Sequence, residues 1–130
     1  AFGTAGTAAA HAIQYPVGAL THTAHGLGVA VLLPPVMRFN RPACTESFAA
    51  IARTMGVAGH DENELADAAI QAIDDLFGCI GIPKRLSDLN MPADRVDWVA
   101  EQSMLAARLV INNPRPLDVA AMKAIVKAAL

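Results

Sequence analysis

His11-Ala-Ile-Gln-Tyr15-Pro-Val-Gly18-Ala-Leu-Thr-His22-Thr-Ala-His25-Gly-Leu-Gly28-Val-Ala-Val-Leu-Leu-Pro34-Pro-Val-Met-Arg-Phe-Asn40 holds three of the chain's four histidines and a single charged residue, Arg38. Its apolar residues fall at helical spacing, with no sustained period-two alternation. The pattern predicts a helix from about Thr4 to Tyr15. Pro16 disfavours helical backbone in the residue before it, which ends that helix. Val17 to Ala24 then reads as a loop punctuated by Gly18. A second helix follows from His25 or Gly26 to Phe39, kinked or split at Pro34-Pro35.

The same reading extends to the end of the chain. Asn40-Arg41-Pro42 is a turn. Thr45 caps a third helix reaching Met55, with Phe48, Ile51, Ala52 and Met55 on one face and Gly56 closing it. Asp61 to Glu64 forms a capping box. Leu65, Ala69, Ile73, Leu76 and Ile80 then make a helical stripe that Gly81-Ile82-Pro83 stops. Leu86 to Met91 is a short turn. Pro92-Ala-Asp94 opens a helix with Val96, Val99 and Leu105 inward. Asn112 to Pro116 is a rigid break, and Asp118 caps a last helix with Met122, Ile125, Val126 and Ala129 inward. The fold class is all-α, one helical domain over residues 1–130, with about five to seven helices.

Composition narrows the function classes. The chain has 130 residues, 54% of them hydrophobic and only 17% charged. So few charges leave apolar surface for a partner chain or another domain to cover. Net charge is −2, and the ten Lys and Arg are scattered along the sequence. No basic stripe with interleaved aromatics points to nucleic acid. Cys44 and Cys79 match neither a metal spacing nor a disulfide framework, which suits a reducing cytoplasm. Residues 1–37 are nearly uncharged, yet histidines, Gln14, Pro16 and Gly18 interrupt them. No run reaches the roughly 18–20 apolar residues of a membrane span. The start at Ala1, with no Met and no polar lead-in, reads as a chain cut in mid-fold.

Histidine is where chemistry concentrates. A helix, a tight loop and a returning helix can bring His11 and His25 together, and imidazole is the commonest metal-ligating side chain. A histidine in an apolar helix also serves as a packed core residue, so the spacing alone leaves both roles open. Two imidazoles do not complete a catalytic metal site, and the first acidic residue, Glu46, lies far along the chain. His60, in a Gly59-His60-Asp61 turn, reads as surface. Gly26 and Gly28 follow no strand and do not form a nucleotide loop.

The stretch from His11 to Asn40 resembles the second signature of the iron-containing (group III) alcohol dehydrogenases. That signature has a His, a Pro-x-Gly, a His-Gly that opens a helix, and Leu-Pro-x-Val-Met-x-Phe-Asn. Asn113-Pro-Arg115 before a short last helix also resembles the family's C-terminal end. The resemblance implies the helical C-terminal domain of the dehydroquinate synthase-like fold, with an N-terminal dinucleotide-binding domain outside these residues. It implies Fe²⁺, or Zn²⁺, held by one Asp and three His, with His11 and His25 as two of them. The metal would act as a Lewis acid on the oxygen of a small alcohol or aldehyde. Hydride would exchange with NAD or NADP bound mainly by the other domain. The family often has a His where Tyr15 stands. A phenol hydrogen-bonds an oxygen well but is a poor base, so Tyr15 puts a proton relay there in doubt and reads equally as a site residue or as a packed one. His22, in the loop before His25, reads either as a solvated loop residue or as lining for the substrate mouth. Asn112, Asn113 and Arg115 suit the cleft or turn formation equally.

Two readings remain open: part of a metal-dependent, NAD(P)-linked alcohol dehydrogenase that is inactive as an isolated piece, or a helical interaction module without turnover. Either is expected to form homo-oligomers through its uncovered apolar face.

Overall fold

The computed structural model describes residues 7–130. Among them are seven α-helices and no strand: α1 Ala9–Thr21, α2 His25–Asn40, α3 Thr45–Thr54, α4 Glu62–Cys79, α5 Val96–Met104, α6 Ala107–Ile111 and α7 Val119–Ala129. Short 3-10 turns at Arg41–Ala43, Leu86–Leu89 and Ala93–Arg95 connect them. The all-α expectation is met. The expected helix start at Thr4 lies outside the described residues. No described helix is long and apolar enough to cross a membrane.

Two local expectations fail at prolines. Pro16 lies inside α1, which continues to Thr21. An interior proline costs about 3 kcal/mol. Burial of Ala9, Ala12, Ile13, Pro16 and Val17 along one face offsets that cost. The helix ends later: His22 turns left-handed at φ 54° and its N–H donates to the Gly18 carbonyl. Thr21 Oγ1 donates back to the Val17 carbonyl at 2.9 Å. Pro34-Pro35 likewise fails to split α2, which runs unbroken through both. Both prolines are buried, and packing on two sides of the helix outweighs the missing amides.

α2 is the wall between two cores. Its Val31, Leu32 and Val36 join α1, α5, α7 and the Leu86–Leu89 turn around Ile13, Val99 and Met122. Its Met37 joins α3 and α4 around Phe48, Ala52, Leu65 and Ala69. The expected inward faces hold for α7 and for Val96 and Val99. They overreach at Ile51 on α3 and Met55 just past it, at Leu76 and Ile80 around the end of α4, all exposed, and at Leu105, which is 74% exposed. Each helix is apolar further round, or further along, than its neighbours can cover. Asp61 caps α4 by accepting from the amides of Asn63 and Glu64, and Gly56 and Gly81 end α3 and α4 at φ +86° and +81°.

The C-terminal end of α2 is fastened to a distant turn. Asn40 and Asn113 exchange side-chain amide hydrogen bonds at 3.0 and 2.7 Å, both buried. Arg115 donates to the Phe39 carbonyl at 2.9 Å and lies 4.2 Å above the centre of the Phe39 ring. Asn112 donates to the Thr7 carbonyl. These three residues therefore fasten elements together.

α1 and α2 meet through an amide seated on a glycine. The Gln14 side chain is buried and lies so close to Gly28 that a Cβ there would fall 1.8 Å from Gln14 Oε1. Gly28→Ala is therefore expected to destabilise the fold by about 1–3 kcal/mol. Gly26, with nothing within 4 Å of such a Cβ, is the matched control, where Ala is expected to be neutral or stabilising by up to ~1 kcal/mol. Thermal unfolding of the two variants checks this, and equal midpoints would refute it. Asn113→Ala strands the buried Asn40 amide and is expected to cost about 1–3 kcal/mol in denaturant unfolding.

Candidate metal centre

α1 carries His11 in its first turn and Tyr15 four residues later, on the same face. The left-handed turn at His22 and the two residues after it reverse the chain. His25 then opens α2 directly against α1. The ring centroids of His11 and His25 lie 5.2 Å apart with their planes at 53°. The Tyr15 ring lies 6.1 Å from that of His25, at 37°.

This separation suits a shared ion. Two imidazoles bound to one divalent cation at about 2.1 Å per nitrogen, at a near-tetrahedral angle, have ring centroids about 5 Å apart. His11 is half-buried and His25 exposed. Burial, and secondarily the neighbouring His25, lowers the pKa of His11. That favours the neutral ring, whose free lone pair is what a cation needs.

No group of three or more His, Cys, Asp or Glu that could hold a metal occurs among the described residues. The described residues thus offer two candidate ligands and no complete set. His22 occupies the end of α1, is exposed, and has no ring contact with the pair among the described residues. Tyr15 is 59% exposed beside His25. His60 is exposed in the loop before α4.

Sequence reasoning passed over Gln14. It sits one turn after His11 and contacts Gly28, which sits one turn after His25. Its Oε1 is buried without a hydrogen-bond partner. A polar residue in a run of alanines, with Gly18 and Gly28 to receive it, was the available signal.

Comparison with known proteins finds relatives over the whole chain. Residues 1–130 match the model of the Fe-containing alcohol dehydrogenase family, C-terminal. The chain is 34% identical over 131 residues to long-chain-alcohol dehydrogenase 1 of Geobacillus thermodenitrificans (strain NG80-2), covering 99% of this chain and 33% of that one. The crystal structure of a 1,3-propanediol oxidoreductase superposes with a TM-score of 0.90 at 35% identity, over 95% of this chain and 32% of that one. NADH-dependent butanol dehydrogenase A of Thermotoga maritima gives 0.84 at 26% identity, over 95% and 33%. The chain spans about a third of the length of the curated relatives it matches. On the match over its whole length and the likeness in fold, the chain belongs to the iron-containing alcohol dehydrogenase family, as its helical C-terminal domain.

Proposed function

We propose that His11 and His25 are two of the ligands of a divalent metal, Fe²⁺ or Zn²⁺, in an NAD(P)-linked alcohol dehydrogenase or aldehyde reductase. The observation that carries this is the 5.2 Å pairing of two imidazoles delivered by different helices. A bound ion supplies Lewis-acid polarisation of an alcohol or aldehyde oxygen. The remaining ligands and the dinucleotide site belong to the other two thirds of a family member's length.

The chain's own residues hold and shape the site. The Gln14–Gly28 contact fixes the approach of α1 to α2 and so the separation of the two rings. Tyr15 presents a phenol on the His25 side, where it hydrogen-bonds the substrate oxygen and orients it. His22, exposed at the end of α1, lines the mouth. Tyr15, Leu105 and Ile111 are 59%, 74% and 85% exposed. We place the rest of the protein or a second copy over them, since so much bare apolar surface favours association.

In the full-length protein, His11→Ala and His25→Ala are each expected to lower bound metal at least tenfold and kcat/KM by about 10²-fold or more. Metal analysis and steady-state kinetics check this. Variants that keep a full complement of metal would sink the assignment. Tyr15→Phe is expected to retain the metal and lose about tenfold in kcat, the worth of one substrate hydrogen bond. An unchanged kcat would remove Tyr15 from the site.

A further inference from the structure

A second concave site lies on the far side of α2. It has a volume of about 380 Å³ and is enclosed by α2, the end of α4, the chain from Ile82 to Arg85, and the last turn of α7. Pro34, in its lining, follows His25 by nine residues, which is about two and a half helical turns. The pocket therefore opens on the face of α2 opposite His25, and neither histidine of the pair lines it.

Basic residues gather here. Of the chain's ten Lys and Arg, four line this pocket: Arg38, Lys84, Arg85 and Lys127. The one acidic side chain in the lining is Asp74, which pairs with Arg38 at 3.0 Å. Among the described residues the other three cations enter no salt bridge. Leu130 also lines the pocket. Even with a terminal carboxylate counted there, four cations face two anions in a chain whose net charge is −2.

The floor adds a second chemistry. Pro34 and Pro35 have no N–H, so the carbonyls of Ala30 and Val31 lack the donor that ordinarily sits four residues on. Both residues line the pocket, beside the apolar surface of Phe77 and Ile82. Ser87 Oγ donates to the Leu130 carbonyl at 2.8 Å and holds the last turn of α7 as the far wall. Four cations in the lining, two residues beside them whose carbonyls have no helical donor, and a volume within the range of small-molecule sites describe a ligand with an anionic head and donor groups on its body.

We propose that this pocket binds a small organic phosphate. Lys84, Arg85 and Lys127 hold the phosphate, whose double charge suits several cations better than a single carboxylate does. Hydroxyl groups on the ligand's body donate to the Ala30 and Val31 carbonyls. The proposal stands independently of the metal assignment.

Calorimetric titration of the full-length protein at constant ionic strength tests it, with inorganic phosphate and glycerol phosphate as probes. Saturable binding of glycerol phosphate with Kd of about 1 mM or tighter is expected, and weaker binding of inorganic phosphate, which lacks the hydroxyl donors. The double substitution Lys84→Gln/Lys127→Gln should weaken binding at least tenfold. Lys123→Gln, which removes a cation paired with Asp97 outside the pocket, should leave it unchanged. No saturable binding of either probe overturns the proposal, as does an equal loss in the Lys123 variant. Equal affinity for the two probes overturns the role of the carbonyls and with it the organic ligand.

Discussion

The Gln14 amide resting on the Gly28 backbone governs how closely α1 approaches α2. A side chain at position 28 would overlap the amide, and without the amide the notch would be empty. His11 and His25 each sit one turn before the contact, so their separation follows from it. The arrangement leaves a buried oxygen unsatisfied, a cost of about 1–3 kcal/mol. Sites where local rules are broken at a net cost tend to be functional ones, and this breach lies one turn from the histidine pair. The small residues around it, Gly18 and the alanines of α1, leave room for two backbones to come close.

α2 passes that geometry to the rest of the molecule. It is packed on one side by α1 and α7 and on another by α4, and shares its two cores with α5 and α3, so its position is set by both cores together. A helix held this way tolerates two interior prolines. Where the two prolines sit, the amides are gone and the carbonyls remain, and the same segment forms the floor of the basic pocket. The α3–α4 unit is also tied to the end of α2 from outside. Arg41 engages Asp67 through two nitrogens at 2.8 and 3.2 Å and Asn63 through two more contacts. That ion pair lowers the pKa of the Asp67 carboxyl.

Much of this architecture was legible in the sequence, and the failures share a cause. Helix identities, the Asp61 and Asp118 caps, the glycine stops at 56 and 81 and the inward face of α7 follow from local chemistry, which the fold leaves alone. Pro16 and Pro34-Pro35 are strong local signals overruled by burial, which no window of sequence contains. Leu76, Ile80 and Leu105 fit an apolar stripe, yet no neighbour reaches them. The pairing of His11 and His25 was legible from a helix, a loop and a returning helix, whereas their candidacy as ligands rested on the resemblance to a family signature, since spacing left a packing role open. The basic pocket was illegible because Arg38, Lys84, Arg85 and Lys127 are spread along the chain and meet only once α2, α4 and α7 are in place.

The mutual clasp of Asn40 and Asn113 has a consequence for how the chain is made. The two residues are 73 positions apart. At about 5–20 residues per second, a ribosome needs roughly 4–15 s to travel from one to the other. Throughout that interval the end of α2 has no partner for its amide, and Phe39 has no guanidinium above its ring. The first core can assemble around α1 and α2 only when α5 and α7 arrive, whereas α3 and α4 are neighbours in sequence and can pair at once. Nascent protein would thus pass through a stage in which the small α3–α4 core is formed while the larger core around the histidine-bearing hairpin still lacks α5 and α7.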